Sequence, residues 1–211
     1  MGFAGSNPVL SALLLVYISY LTDKMNINRI TNFLFEIATL RRLTRSHRQM
    51  IQGVNDNISD HSFRVAIIGM ILANLEDCNE NRVLKMCLFH DVAEARTGDA
   101  NFINKQYTDL HEKEAQKDQM QGLPIAGEIL EILQEYKQRK SKESIVVKDA
   151  DLLDQMVLQQ DYFYKDEKNR KLWQDHTEKS LATDSAKKIA KKIRESNPFE
   201  WLYQLEKDKT S

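Results

Sequence analysis

Apolar residues return at every third or fourth position in one segment after another, a spacing that commits the chain to helices burying one face each. In NRITNFLFEIATLRRL, Asn28 to Leu43, the stripe is Ile30, Phe33, Leu34, Ile37 and Leu40. In HSFRVAIIGMILANL it is Val65, Ile68, Leu72 and Leu75, with Ser59 and Asp60 as caps and His61 in the first turn. NENRVLKMCLFHDVAEA predicts a helix from near Asn79 that stops before Gly98. IAGEILEILQEYKQ and SIVVKDADLLDQMVLQQDYFY predict two more, and TDSAKKIAKKIRES predicts another that ends at Asn197 and Pro198, with a short amphipathic piece beyond. Only 7 Gly and 3 Pro occur in 211 residues, so little interrupts these patterns. The expected fold class is an all-α bundle: one domain over 28–206, an added N-terminal apolar helical extension at 1–27 and a disordered tail at 207–211.

Two connections stand out between the helices. TRSHRQMIQGVNDN, Thr44 to Asn57, has weak periodicity and reads as a loop carrying the basic cluster Arg45, His47 and Arg48. NFINKQYTDLHEKEAQKDQMQGLP reads as a polar surface loop leading into a solvated helix broken at Leu123 and Pro124.

The formal net charge of −1 gives no basis for a nucleic-acid or acidic-membrane partner. Cys78 and Cys87 fit neither a disulfide scaffold nor a CxxC motif, which implies a reducing, cytoplasmic setting. PVLSALLLVYISYL, Pro8 to Leu21, falls short of the ~20 residues that span a bilayer and lacks a basic leader, so a buried or dimer-contacting helix is expected in place of stable membrane insertion. The opening MGFAGS matches the myristoylation pattern with Gly2 and Ser6, a match too short to carry weight.

The chemistry concentrates in FHDVAEARTGD, Phe89 to Asp99. On a continuous helix His90 and Glu94 share a face while Asp91 points about a quarter-turn away. A metal ion could take His90 and Asp91 there; equally, His90 could be a core histidine and the acids solvated. Two further features weigh on that choice. His61 starts another apolar helix, and in VKDADLLDQ the residues Asp149, Asp151 and Asp154 fall on or beside the apolar side, opposite Lys148, Gln155 and Gln159. Buried carboxylates need a cation, a basic partner or hydrogen-bond donors. Imidazoles and carboxylates together suit Mn, Co, Fe, Ni or Zn.

The order His61, His90-Asp91, Asp151 resembles the H…HD…D signature of the HD-domain metal-dependent phosphohydrolases, in particular the branch of 5′-deoxynucleotidases. SDHSFRVA, HDVAEARTGD and VKDADLLDQMVLQ carry the resemblance, which covers about Asn28 to Tyr164. It implies an HD-domain helical bundle and one divalent metal ion (Mn, Co, Fe, Ni, Zn or Mg) held by His61, His90, Asp91 and Asp151. It implies catalytic roles for Glu94, at the attacking water, and Asp99, near the substrate, and makes Asp154 a residue that orients a ligand. The implied substrate is a small-molecule nucleotide, a deoxyribonucleoside 5′-monophosphate, and the implied assembly a homodimer. The chain departs from the branch in the loop RSHRQMIQG, which has no tryptophan; Arg45 or Arg48 there is expected to pair with a phosphate. Another phosphorylated small molecule as substrate, or a metal-stabilised interaction module without turnover, are the alternatives. His111 is expected on an exposed segment, which leaves a single metal, and surface roles are expected for His47 and His176.

Overall fold

The computed structural model describes residues 26–53 and 55–210, together with Val9 and residues 12–14. Apart from those few helical positions, the expected apolar helix over 8–21 lies outside the described residues. Among the described residues the regular structure is all helical; the sole β feature is an isolated antiparallel bridge between Thr44 and Asn57. No helix of the described residues is long and apolar enough to cross a membrane.

The helices are α1 (Ile27–Ile37, continued by a 3-10 turn Ala38–Arg42), α2 (Ile58–Leu75), α3 (Glu80–Phe89), α4 (Glu94–Thr97) and α5 (Glu112–Met120). Then follow α6 (Ala126–Gln138), α7 (Lys142–Tyr162), α8 (Glu167–Glu178), α9 (Asp184–Glu195) and α10 (Glu200–Thr210). The centre is a triangle of α2, α3 and α7. Val65 and Leu72 meet Val83, Met86, Leu153 and Met156, all virtually inaccessible to solvent. The α2–α3 crossing is close because Gly69 has no side chain: a Cβ there would lie 2.5 Å from Cys87 Sγ.

The structure corrects several expectations. The cap of α2 is Asn57, whose side-chain oxygen accepts the Asp60 N–H at 3.0 Å, so Ser59 and Asp60 sit inside the first turn. Leu75 is exposed, because it belongs to a second row, Phe63, Ile67, Ile71 and Leu75, that faces away from the core at four-residue intervals. The loop 44–57 contains a 3-10 turn, Ser46–Gln49, and is clamped at its base, where the Arg45 N–H donates to the Asp56 carbonyl and the Ile58 N–H to that of Leu43. Gln159, expected on the polar face of α7, is buried and donates to Thr177 Oγ at 3.1 Å. The partner helix α8 had no apolar stripe to announce it. At the C-terminus α10 is helical through Thr210, where a disordered tail was expected over 207–211; LEKDK consists of good helix formers with one aspartate.

The most consequential correction is at His90. The expected continuous helix to Gly98 breaks after Phe89, and the chain turns by i→i+3 bonds: Val92 to Phe89, Glu94 to Asp91, Ala95 to Val92. Three residues per turn eclipses positions i and i+3. Asp91 and Glu94, about 60° apart in a regular helix, are thereby brought into line on one side. Gly98, at φ 75, closes α4 in a conformation that glycine adopts without strain.

Candidate metal centre

His61 leaves the first turn of α2, His90 caps α3, Asp91 follows in the tight turn and Asp151 sits within α7. Packing of the three central helices carries these side chains to one point. One donor atom from each of His61, His90 and Asp151 lies within 4.8 Å of the others. Asp91 Oδ2 is 3.4 Å from His61 Nε2 and 3.2 Å from His90 Nε2, and Asp151 Oδ1 is 3.4 Å from His61 Nε2.

The far side of each ring explains why these nitrogens point inward. His61 Nδ1 faces Asp154 Oδ2 at 2.7 Å, and His90 Nδ1 faces the Cys87 carbonyl at 2.7 Å. Carboxylate and carbonyl oxygens accept, so Nδ1 is the donor in both rings. The two Nε2 atoms are then the free nitrogens, and both are buried without a hydrogen-bond partner. They face carboxylate oxygens, which are themselves acceptors. A proton or a cation must lie between them, and this donor set fits a divalent cation: two imidazoles and two carboxylates, each imidazole fixed from behind.

The charges fit the same account. Burial opposes a charge on His61, but the hydrogen bond to Asp154 and the nearby Asp91 carboxylate outweigh it and raise the imidazole pKa to about 9. Burial would likewise raise Asp91 and Asp151. His90 and His61 instead hold Asp91 well below the usual carboxylate range, and Lys148 with the two histidines does so for Asp151. In the metal-free protein His61 therefore carries the charge that a cation would supply. Its stabilising contribution is complete below the unfolded pKa near 6.5 and is lost as pH rises through about 9. Cation binding must displace that proton, so affinity is expected to rise with pH up to about 9. Competition with a chromophoric chelator between about pH 6 and 9 measures this, and a pH-independent affinity would contradict it.

Around these four side chains the structure places the other expected residues unequally. Asp154 is fully buried and shared: it accepts from His61 and from Arg64 Nε at 2.6 Å, while Arg64 also forks onto Asp56 at 3.1 and 2.8 Å. Glu94 is half-buried beside the cluster with Oε2 unpartnered, and burial followed by the Asp91 and Asp99 charges raises its carboxyl to about 10. Asp99 Oδ2 accepts the Ser46 N–H at 2.7 Å and lies 3.8 Å from Arg45 Nη1, which is also 3.3 Å from Asp91. Arg45 is buried, whereas Arg48 is exposed and lines no cavity at the site, so only the first of the two expected arginines is brought in. A 3-10 turn separates them, and periodicity in a presumed loop could not. Asp149 faces elsewhere, accepting from the N–H groups of Ala182 and Thr183 at 2.9 and 2.7 Å and so fixing the start of α9. His111 is exposed and outside the cluster.

Three residues went unforeseen. Lys148 binds Asp151 Oδ2 at 2.7 Å. Tyr136 stands edge-on to His90, with ring centroids 5.6 Å apart. Arg64 was legible in principle, since it follows His61 by three positions on α2 and faces the same aspartate. A cavity of about 360 Å³ opens over the cluster, with Arg45, Asp91, Glu94, Asp99 and Asp151 at one end.

Comparison with known proteins agrees with this geometry. Residues 37–196 match the family described as HD domain. Proteins of Mus musculus and Homo sapiens named 5′-deoxynucleotidase HDDC2 are each 34% identical over 109 residues, 49% of this chain and 54% and 52% of theirs. The chain thus spans about half the length of the curated relatives it matches. A crystal structure from Pyrococcus horikoshii OT3 has a TM-score of 0.64 and 27% identity, covering 78% of this chain and 98% of that one. The crystal structure of a predicted metal-dependent phosphohydrolase from Magnetospirillum magnetotacticum MS-1 has a TM-score of 0.64 and 21% identity, covering 79% and 90%, and shows likeness of fold alone.

Proposed function

This chain belongs to the HD-domain family, and from that premise we propose that it is a divalent-metal-dependent phosphomonoesterase acting on deoxyribonucleoside 5′-monophosphates. The observation that carries the reading is the pair of buried, unpartnered imidazole nitrogens converging with Asp91 and Asp151 beside Glu94 and Arg45. A purely structural metal site needs neither an unpaired acid nor a buried arginine facing a cavity. The similarity to proteins named 5′-deoxynucleotidase supports the substrate class.

His61, His90, Asp91 and Asp151 would hold the cation, which when bound supplies positive charge against the phosphate and acidifies a water. Arg45, and Lys148 on the opposite wall, offer N–H donors to the phosphate oxygens. Glu94 takes the proton of the attacking water as its oxygen bonds to phosphorus. The P–O bond to the sugar breaks, and the departing alkoxide takes a proton back from Glu94. Asp99 positions Arg45 and the Ser46 backbone, a role at one remove from the reacting atoms.

Purified protein given Co²⁺ or Mn²⁺ is expected to release phosphate from deoxyribonucleoside 5′-monophosphates and to lose this activity with EDTA. Turnover that survives both EDTA and Asp91→Ala would overturn the reading. It extends to a homodimer, supported by the exposed row Phe63, Ile67 and Ile71 on α2, and to a cytoplasmic setting, supported by the free thiols of Cys78 and Cys87. Light scattering should return twice the 24.5 kDa chain mass, and a monomer at working concentration rejects that part.

A further inference from the structure

The cavity over the metal centre has two unlike ends. One carries the charged groups already described; the other, between α7 and α8, is lined by Tyr162, Trp173 and His176. α7 forms a continuous wall between them through Asp151, Gln155, Leu158 and Tyr162, residues that recur at three- and four-residue intervals on one face. Gln159 bonds Thr177 at 3.1 Å, which fixes the register of α8, and Trp173 lies one turn before Thr177 on the same helix. Trp173 stands beside Phe163, so from Asp151 to its level α7 rises roughly 18 Å.

Both rings at the far end are held in place. Trp173 lies nearly parallel to Phe163, with an interplanar angle of 19° and centroids 6.5 Å apart. The Tyr162 hydroxyl accepts the Asn55 N–H at 3.1 Å. Trp173 is only partly buried and lines the cavity, so part of the indole is left for a ligand. The loop 44–53, by contrast, offers the same cavity Met50 and Ile51 and no aromatic ring apart from His47.

We infer that Trp173 is the nucleobase-binding residue of this cavity: the substrate's phosphate lies at the metal end and its planar heterocycle packs on the indole supplied by α8. The inference rests on the phosphomonoesterase reading of the same cavity and adds which element selects for a base. Stacking of a base on an aromatic side chain makes it sequence-tolerant, so Trp173 distinguishes a nucleotide from a bare sugar phosphate more than one base from another.

Two measurements test it. Trp173→Ala is expected to lower the ratio of kcat/KM for a deoxyribonucleoside 5′-monophosphate to that for deoxyribose 5-phosphate by roughly 5- to 100-fold, mainly through KM, and Trp173→Phe is expected to restore most of the ratio. An unchanged ratio overturns the inference, as does an equal loss on both substrates. The chain has two tryptophans, so Trp201→Phe, at an exposed position on α10, leaves Trp173 as the sole indole. In that variant, with EDTA present, the deoxynucleotide should quench emission saturably and deoxyribose 5-phosphate should not. Absence of quenching overturns the inference whatever the activity. Quenching without turnover upholds the base site and rejects the phosphatase reading alone.

Discussion

Glu94→Gln is expected to lower kcat for phosphate release by about 10²- to 10⁴-fold, the range that a positioned general base contributes. The substitution keeps the side chain's size and its place at the start of α4, and removes only the capacity to take a proton. In the metal-free protein Glu94 is protonated at neutral pH, because burial and the nearby charges of Asp91 and Asp99 raise it to about 10. A base in that state is idle. A divalent cation held by the adjacent residues would favour the carboxylate, and so would also arm the base. Glutamine cannot be armed in this way. Metal content measured on the purified variant should match the parent protein, because Glu94 is outside the ligand set. A kcat within threefold of the parent, at equal metal content, would remove Glu94 from the chemistry.

Asp154→Ala is expected to be the most destabilising single change near the site, by about 3 kcal/mol, the lower end of the cost of breaking a buried charge pair. The lower end applies because Arg64 is about one-third exposed and recovers some solvent, keeping Asp56 as partner. His61 has no such recourse: its ring is fully buried and its Nδ1–H is left without an acceptor. For a chain of this length the change corresponds to a fall in Tm of roughly 6–12 °C. Loss of the carboxylate that orients a ligand imidazole should also weaken cation binding by about 10- to 100-fold. Asp154→Asn retains an acceptor for His61 and should recover part of both effects. Calorimetry of the metal-free variants separates the stability effect from the binding effect; a Tm within about 2 °C of the parent for Asp154→Ala would show that His61 is held by other means.

The sequence was legible wherever burial follows a simple period. The stripes of α1, α2, α6, α7 and α9 mark real helices, and the three aspartates that sat awkwardly on α7 are all buried. Asp149, Asp151 and Asp154 look alike in sequence, and only packing shows that one anchors the residues leading into α9, one joins the candidate metal cluster and one holds His61 and Arg64. The turn after Phe89 was illegible because no glycine or proline marks it. α8 escaped notice because EKNRKLWQDHTE buries polar residues, Gln174 and Thr177, where apolar ones would have announced a packed face. The same polarity hid Trp173 on the wall of the cavity.

The division of labour along α7 also governs how this chain can vary. Three aspartates within a turn and a half face three different structures, and each depends on its angle about one helix axis. A substitution at any of them removes one attachment and leaves the others in place. One residue inserted between Asp149 and Asp154 rotates everything beyond it by about 100° and no backbone adjustment restores all three directions together. Length changes are therefore tolerable in the exposed connection near His111 and intolerable here, so that α7 fixes the ruler against which the rest of the chain can grow or shrink.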